Sequence, residues 1–310
     1  RGVSLVSTPN AAHIALDDFG SSGIFARTTS LSGVNANVNV LAKLKNDSKA
    51  DGSFTVQATL LEADGTTIKQ TGRSTAVVIK AGTAASVAQD LAVNNAHLWN
   101  GLADPYLYKL VVELKDNNGA SVDKVVHNFG IRQMSFDPDK GFILNGKSVP
   151  LHGVNMHQDR LGKAWAISKA DTDESFSFIK EIGANTLRLA HYPHADYTYE
   201  QADKLGVVVW AENALVNSTG VTKLIDPEST GFAANARQQL TELIRQQYNH
   251  ASIGMWSIAN EVTGGTDASN NVQALFKSLN ALAKAEDPGR MTTIPNQATL
   301  NGDIIIPDKL

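Results

Sequence analysis

The hydrophobic rhythm of the chain changes between residues 135 and 140. Before this point, apolar and polar residues alternate in short runs such as "SFTVQATLL" and "YLYKLVVEL", separated by turn pairs such as Asp64-Gly65. Alternation with a period of two is typical of strands that bury one face, and Asp-Gly favours a tight hairpin turn. About seven such runs without a helical pattern predict an immunoglobulin-like β-sandwich over residues 1–135, with its first strand in the opening "RGVSLVS".

After residue 140, strand-like runs alternate with helical ones. The strand-like runs are "KSVPLHGVN", "NTLRLAHYP", "VVVWAENAL", "SIGMWSIANEV", "MTTIPNQA" and "DIIIPDKL". A helical pattern follows each of the first four, which is typical of parallel βα units. We therefore predict that residues 136–310 form an incomplete (β/α)8 TIM barrel, truncated after about strand six of the eight that closure needs. A doubly wound sheet is the alternative, but the turn after the first strand lacks its glycine-rich phosphate motif.

The composition of the chain limits its partners. The 310 residues include no cysteine and carry a formal net charge of −4. Without cysteine, disulfides, thiolate metal sites and a cysteine nucleophile are excluded. The sequence has no long Lys/Arg run to follow a phosphate backbone, and no apolar run of about 18 residues to span a bilayer. We therefore expect neither a nucleic acid nor a membrane among its partners.

Polar side chains collect where the strand-like runs end. They are His157, Asp159, His191, Glu212, Asn260 and Glu261. Because the carboxyl ends of parallel strands meet at one rim of a barrel, these residues are candidates for an active face. Arg188 lies within the second run, two residues before Ala190 and therefore on the same strand face.

The pair Asn260-Glu261 ends an apolar run and is followed by glycines. An apolar neighbourhood favours the protonated form of a carboxylic acid, so Glu261 suits a general acid. Asn260 can donate a hydrogen bond to a sugar hydroxyl beside the anomeric carbon. Retaining glycoside hydrolysis needs a second carboxylate about 5–5.5 Å from the first. The alternative for Glu261 is a surface carboxylate that caps the next helix.

Several of the candidate side chains suit a sugar ligand. Imidazoles and carboxylates bond to hydroxyl groups, which both donate and accept, and an indole ring can pack on the face of a pyranose. Trp165, Trp210 and Trp256 are candidates for the latter contact. We favour Trp165 because it lies in a loop-like segment, and core packing is the open alternative for each of the three.

Four long segments follow one another in a set order along the chain. They are "LWNGLADPYLYKLVVEL", "FGIRQMSFDPDKGFILNGKSVPLHGVNMHQD", "IKEIGANTLRLAHYPHADYTYEQADKLGVVVWAE" and "YNHASIGMWSIANEV". In this order they resemble glycoside hydrolase family 2, and most of all its bacterial β-galactosidases. They resemble the end of the family's immunoglobulin-like domain, the start of its barrel and two barrel signatures. The opening "RGVSLVS" resembles the junction after the family's N-terminal sugar-binding domain, so the chain resembles the central part of such a protein.

The resemblance implies roles for individual residues. Glu261 resembles the family's acid/base, and Asn260 resembles the asparagine before it. His157 and His191 resemble histidines that line the sugar site, and Asp159 resembles a carboxylate found there. The family's nucleophile is a later glutamate, which we expect beyond residue 310. The chain would then be inactive alone.

One part of the family pattern is missing. Some β-galactosidases bind Mg²⁺ through a Glu-x-His after the third strand, where this chain has Val216, Asn217 and Ser218. We therefore expect no metal, and we expect no other cofactor. Glu212 resembles a family carboxylate at that strand end, and with Arg188 we expect it to support neighbouring strand ends rather than act as the nucleophile.

The resemblance implies a retaining exo-β-glycosidase that acts on a carbohydrate substrate, a β-galactoside first, by double displacement. β-Glucuronidase and β-mannosidase of the same family are alternatives. A non-catalytic carbohydrate-binding or scaffold protein is an alternative of a different class. An incomplete barrel would also leave unpaired strand edges, which favour a homo-oligomer.

Overall fold

The computed structural model describes residues 3, 5–216, 231–262 and 270–295. These residues divide into two compact units. The first unit comprises the described chain up to residue 133 together with residues 144–147 and 245–251, and the second comprises the remainder. None of the described helices combines the length and the apolarity needed to cross a membrane.

The first unit contains two antiparallel sheets. One sheet consists of β1 (Ala12–Ile14), β2 (Ile24–Ser32), β3 (Asn35–Asn46) and β7 (Thr83–Val93). The other consists of β4 (Gly52–Leu61), β5 (Ile68–Arg73), β6 (Val77–Ile79), β8 (Tyr108–Lys115) and β9 (Ser121–Phe129). A short 3-10 helix, Gly101–Ala103, precedes β8. β3 pairs with β1, β2 and β7, so it holds the first sheet together.

The core of this unit follows from the alternation in its strands. Val38 and Val40 of β3 are buried, as are Leu110 and Val112 of β8, while the residues between them are more exposed. Successive side chains of a strand point to opposite faces, so the buried set of each sheet forms one surface. Both sets belong to a single hydrophobic cluster. The predicted β-sandwich is confirmed.

Two details of the sandwich differ from the prediction. It has nine strands rather than about seven among the described residues, and two of them, β1 and β6, are only three residues long. The predicted first strand is wrong over residues 5–7, which lie in no strand. Leu5 and Val6 are 99% and 63% exposed, so no sheet face buries their apolar side chains.

Three short strands follow β9 along the chain. They are β10 (Met134–Asp137), β11 (Gly141–Leu144) and β12 (Lys147–Ser148). The second unit is then built on five parallel strands in sequential order. They are β13 (Gly153–Met156), β14 (Thr186–Leu189), β15 (Val208–Glu212), β16 (Ile253–Ser257) and β17 (Met291–Thr293).

A helix separates each neighbouring pair of parallel strands. The helices are α1 (Lys169–Glu181), α2 (Asp196–Leu205), α3 (Phe232–Gln247) and α4 (Asn270–Glu286). Every residue of β16 is buried, as expected for a parallel strand that is covered on both faces. The predicted incomplete α/β barrel is confirmed, and the run "DIIIPDKL" lies outside the described residues.

The ends of the first two helices are set by local chemistry. Ser168 and Asp171 form a capping box before α1, in which each side chain accepts from the other's backbone N–H. Such a box satisfies donors that the first helical turn leaves unpaired. α2 ends at Gly206, whose φ of +76° is readily adopted by glycine. These ends position the loops that follow β13 and precede β15.

Candidate active site

A buried ion network lies at the carboxyl ends of neighbouring strands. Glu212, the last residue of β15, is completely buried. Arg188 of β14 donates to both of its carboxylate oxygens, from Nε across 2.9 Å and from Nη2 across 3.0 Å. Nδ1 of His191 lies 2.6 Å from Oε1 of the same carboxylate. The two-pronged pair fixes both side chains and compensates a carboxylate charge that burial would otherwise make costly.

The same guanidinium extends the network to β16. Nη2 of Arg188 donates to Oδ1 of Asn260 across 2.6 Å. Asn260 is almost completely buried, and its backbone N–H donates to the carbonyl oxygen of Leu215 across 2.8 Å. Because the amide oxygen is engaged, the NH₂ group is the end of the Asn260 side chain that can donate to a ligand. Arg188 therefore sets the orientation of the Asn260 amide.

Glu261 has an unusual backbone conformation. Its φ is +52°, in the left-handed region that residues other than glycine seldom adopt. Its backbone N–H donates to the carbonyl oxygen of Pro295 across 3.0 Å, which ties it to the segment after β17. The residue is partly buried. Strained residues cluster at functional sites, so this conformation supports a functional interpretation of Glu261.

Aromatic rings line the ends of β13 and β14. His157 packs edge-on against His191, with ring centroids 5.0 Å apart and an interplanar angle of 85°. The hydroxyl of Tyr192 lies 3.4 Å from Nδ1 of His157 and accepts the backbone N–H of Gln158 across 3.1 Å. Asp159 is exposed on the same loop. The loop after β13 therefore brings His157 against His191 and leaves Asp159 open to solvent.

The three tryptophan candidates occupy different environments. Trp165 is 60% exposed, and its ring lies 4.9 Å from that of Tyr192. Trp256 is completely buried and donates from Nε1 to Asp287 across 2.9 Å, so it belongs to the core and cannot stack on a sugar. Trp210 packs against the guanidinium of Arg188, whose Cζ lies 5.1 Å from the centroid of the Trp210 ring. Trp165 is the most exposed of the three tryptophans.

A cavity of about 590 Å³ lies against the parallel sheet. Its lining includes Arg188, Trp210, Asn155, Met255 and Met291. Nε1 of Trp210 is buried and has no hydrogen-bond partner in the part of the chain that the structure describes. Arg188 therefore belongs both to this cavity and to the ion network.

The structure gives the metal prediction no direct test. Within residues 5–216, 231–262 and 270–295, no three His, Asp or Glu side chains lie together in a way that could hold a metal ion. Two of the residues on which the prediction rests, Asn217 and Ser218, lie outside the described residues. The absence of the Glu-x-His motif stays a sequence-based expectation.

Tyr192 and Gln158 lie at strand ends in the sequence, but sequence reasoning gave neither a role in shaping the loop after β13. Tyr192 contacts His157 and accepts from the Gln158 backbone. Gln158 is buried, and its Oε1 accepts the backbone N–H of Ala195. An aromatic residue directly after the polar strand end at His191 was the available signal for the first. Nothing in the sequence marks a loop glutamine as buried.

Comparison with known families gives a direct result. The family model described as "Glycosyl hydrolases family 2, TIM barrel domain" matches residues 138–309, and the model described as "Glycosyl hydrolases family 2" matches residues 23–132. The chain belongs to glycosyl hydrolase family 2. The resemblance identified from its sequence segments is thereby confirmed, as is the pairing of a β-sandwich with a TIM-barrel domain.

Individual family 2 relatives carry two different names. A β-glucuronidase of Bacteroides fragilis is 39% identical over 94% of this chain and 41% of its own length. A β-galactosidase of Bacteroides ovatus is 30% identical over 78% of this chain and 28% of its own length. The crystal structure of a Bacteroides uniformis β-glucuronidase superposes with a TM-score of 0.82 and 31% identity, covering 93% of this chain and 34% of that one. The chain thus spans about two-fifths or less of these family 2 relatives.

Proposed function

We propose that the protein is a retaining exo-β-glycosidase and that Glu261 is its acid/base. The observation that carries the proposal is the pair Asn260-Glu261 after β16, where Arg188 orients the Asn260 amide. Membership of a glycosyl hydrolase family supports the reaction class. Because the chain spans part of the length of its relatives, the proposal concerns the complete protein.

Two carboxylates perform the proposed reaction. Glu261 donates its proton to the glycosidic oxygen while a second carboxylate attacks the anomeric carbon, so that the C–O bond breaks and a glycosyl-enzyme ester forms. Glu261, now ionised, then takes a proton from water. The water oxygen attacks the anomeric carbon, the ester bond to the enzyme breaks, and the second carboxylate is released. We place the nucleophile beyond residue 310. Glu212 suits that role poorly because Arg188 and His191 engage its carboxylate.

The remaining predicted residues bind the sugar in this proposal. Asn260 donates from its NH₂ group to the hydroxyl beside the anomeric carbon, a contact that can strengthen in the transition state. His157, His191 and Asp159 offer hydrogen bonds to the other hydroxyls. The exposed ring of Trp165 offers an apolar face for a pyranose.

Two sugars are candidates for the substrate. The sequence segments favour a β-galactoside, and relatives named β-galactosidase support it. A β-glucuronide is the second candidate. The relative that is 39% identical over 94% of this chain is named β-glucuronidase. The glucuronide differs in carrying a carboxylate, which needs a cationic side chain in the complete site.

The test uses the full-length protein with nitrophenyl β-galactoside and nitrophenyl β-glucuronide. We expect hydrolysis of one of them, and the preferred sugar decides between the two candidates. The methyl glycoside of the preferred sugar is a further substrate. Glu261→Gln should lose activity most of all on this methyl glycoside, because methoxide leaves only with protonation whereas nitrophenolate leaves readily without it. Glu181→Gln, on the exposed end of α1, is the matched control and should keep full activity.

A further readout separates the acid/base from other roles. In a Glu261→Ala variant, azide can attack the glycosyl-enzyme without base assistance and should restore turnover, giving a β-glycosyl azide. Wild-type activity that survives intact in Glu261→Gln would refute the assignment of the acid/base. A wild type that binds sugar yet hydrolyses neither substrate would favour the non-catalytic alternative.

A further inference from the structure

The loop that carries His157, Asp159 and Trp165 connects β13 to α1, and its two ends are held in different ways. At its start, Gln158 is fixed by the Tyr192 hydroxyl on one side and by the Ala195 backbone on the other. Its later part carries Trp165, whose side chain is 60% exposed. Packing against the core therefore cannot hold that ring in place, and its position depends on the backbone of the loop.

The backbone before Trp165 forms a tight, strained turn. Arg160 and Ala164 exchange backbone hydrogen bonds of 3.0 and 2.9 Å. Gly162 and Ala164 have φ values of +74° and +45°. For alanine the left-handed region is unfavourable, so surrounding contacts must maintain the turn that aims Trp165.

Two carboxylates of α1, Asp171 and Glu174, accept from Arg160, and Asp171 is the one that also accepts from Lys163. Asp171, in the first turn of α1, is 6% exposed, and its Oδ2 accepts from the backbone N–H and hydroxyl of Ser168 across 2.9 and 2.8 Å. Its Oδ1 accepts from Nζ of Lys163 across 2.7 Å and from Nη1 of Arg160 across 2.9 Å. Lys163 and Ser168 hold the pKa of this carboxyl well below its usual range, so it stays ionised.

We propose that Asp171 is a positioning residue that holds Trp165 at the sugar site through Lys163 and Arg160. Arg160 begins the strained turn and Lys163 lies within it, between Gly162 and Ala164, so the two charge-assisted bonds fasten the turn to the first turn of α1 at two points. Trp165 is in turn connected to the site, because its ring lies 4.9 Å from that of Tyr192, which contacts His157. The kinetic part of this inference rests on the proposed glycosidase function.

An ordinary surface ion pair would act differently. Exposed pairs contribute little and can be removed without consequence for a neighbouring side chain. Here the carboxylate is buried while Lys163 is half-exposed, and the acceptor also caps a helix. The variant Asp171→Asn keeps an oxygen that can accept from Ser168, so α1 retains its cap. The charge that pairs with Lys163 is lost, and Arg160 keeps its ion pair with Glu174.

The first measurement does not depend on activity. The full-length protein is labelled with 5-fluorotryptophan, and the Trp165 resonance is assigned by its loss in Trp165→Phe. In Asp171→Asn, and in Lys163→Met, which leaves the cap untouched, we expect this resonance to shift and broaden. Asp173→Asn is the matched control, because Asp173 lies on the same helix and bonds to Tyr197 instead of to the loop. An unchanged Trp165 resonance in both test variants would overturn the proposal.

The second measurement is a double-mutant cycle on glycoside hydrolysis. A ring contact of ordinary strength predicts that Trp165→Ala raises KM about three- to tenfold with kcat nearly unchanged. Asp171→Asn should raise KM by no more than Trp165→Ala does. In the double variant, Asp171→Asn should cause no further increase in KM beyond that of Trp165→Ala alone. Additive effects would refute action through Trp165. If the wild type has no activity but the fluorine resonance responds as expected, the glycosidase proposal fails and the positioning role of Asp171 stands.

Discussion

The guanidinium of Arg188 donates to the amide oxygen of Asn260 across 2.6 Å while it also holds the buried carboxylate of Glu212. One side chain thus connects the ends of β14, β15 and β16. It compensates the charge of Glu212 and orients the amide next to Glu261. Arg188 therefore contributes both to stability and to the proposed chemistry. Substitutions of Arg188 test the first contribution, and a substitution of Asn260 tests the second.

Removing Arg188 should cost stability first. In Arg188→Ala, Glu212 stays completely buried and loses two hydrogen bonds to a cation, so we expect the free energy of unfolding to fall by about 3–5 kcal/mol. Arg188→Lys keeps the charge but loses the two-pronged geometry, and should cost less. Urea unfolding of the three proteins measures the difference. Equal stability of wild type and Arg188→Ala would show that Glu212 does not depend on this pair.

Changing Asn260 should affect catalysis with little loss of stability. Asn260→Asp keeps an oxygen that can accept from Arg188 but replaces the NH₂ donor, so we expect kcat/KM to fall about 100-fold, as when a transition-state donor is removed. The matched control is Asn128→Asp in the sandwich, where Asn128 Oδ1 likewise accepts from a cation, Lys109. Steady-state kinetics of both variants test this, and comparable losses would contradict a specific role of Asn260.

Much of the architecture could be predicted from periodicity, because burial of one face imposes a period on each element. The alternation in β3 and β8 and the mostly apolar, fully buried run of β16 are examples. The opening "RGVSLVS" shows the limit of this reasoning. Its alternation fits a strand, but residues 5–7 lie in no strand and two of their apolar side chains are exposed. A sequence period does not report whether a partner strand is present.

The sequence predicted that several candidate residues would lie near one another, but it did not predict the contacts between them. Strand-end logic selected His157, His191 and Asn260 because parallel strands end at one rim. It could not reveal that Trp256 is a core residue bonded to Asp287, since tryptophan suits both settings. The connection of Asp171 to the loop also depends on geometry, because charged residues in a loop and a helix start have no sequence period that relates them.

Close backbone contact should make Gly130 sensitive to substitution. A Cβ atom at Gly130 would lie 2.6 Å from Cβ of Ala251 and 3.0 Å from Cβ of Trp99, and neither atom can move without backbone shifts. We expect Gly130→Ala to lower the free energy of unfolding by about 1–3 kcal/mol. Gly72→Ala is the control, because its new atom would meet a terminal methyl group of the Leu91 side chain rather than a Cβ atom. If urea unfolding shows the larger loss for Gly72→Ala, the argument is wrong.

A histidine in the sandwich should make stability fall in mild acid. Burial lowers the pKa of His127 to about 4, and His250 acts in the same direction. The unfolded chain titrates near the ordinary value of about 6.5, so between these limits it binds a proton that the folded chain does not. The stabilising contribution is therefore present above about pH 6.5 and lost as the pH falls toward 4, by about 3 kcal/mol in all.

The test compares urea unfolding of wild type and His127→Gln between pH 4 and 7, since glutamine cannot gain the proton. The variant should show a shallower fall in stability with acid.

His13 provides a control of opposite sign. Burial acts to lower the pKa of His13, but the Ile14 carbonyl and Asp47 together raise it. The contribution of His13 is therefore complete below its unfolded pKa and is lost as the pH rises through its folded pKa, so His13→Gln should weaken the protein most in acid. Identical pH profiles for wild type and His127→Gln would show that His127 takes up its proton equally in both states.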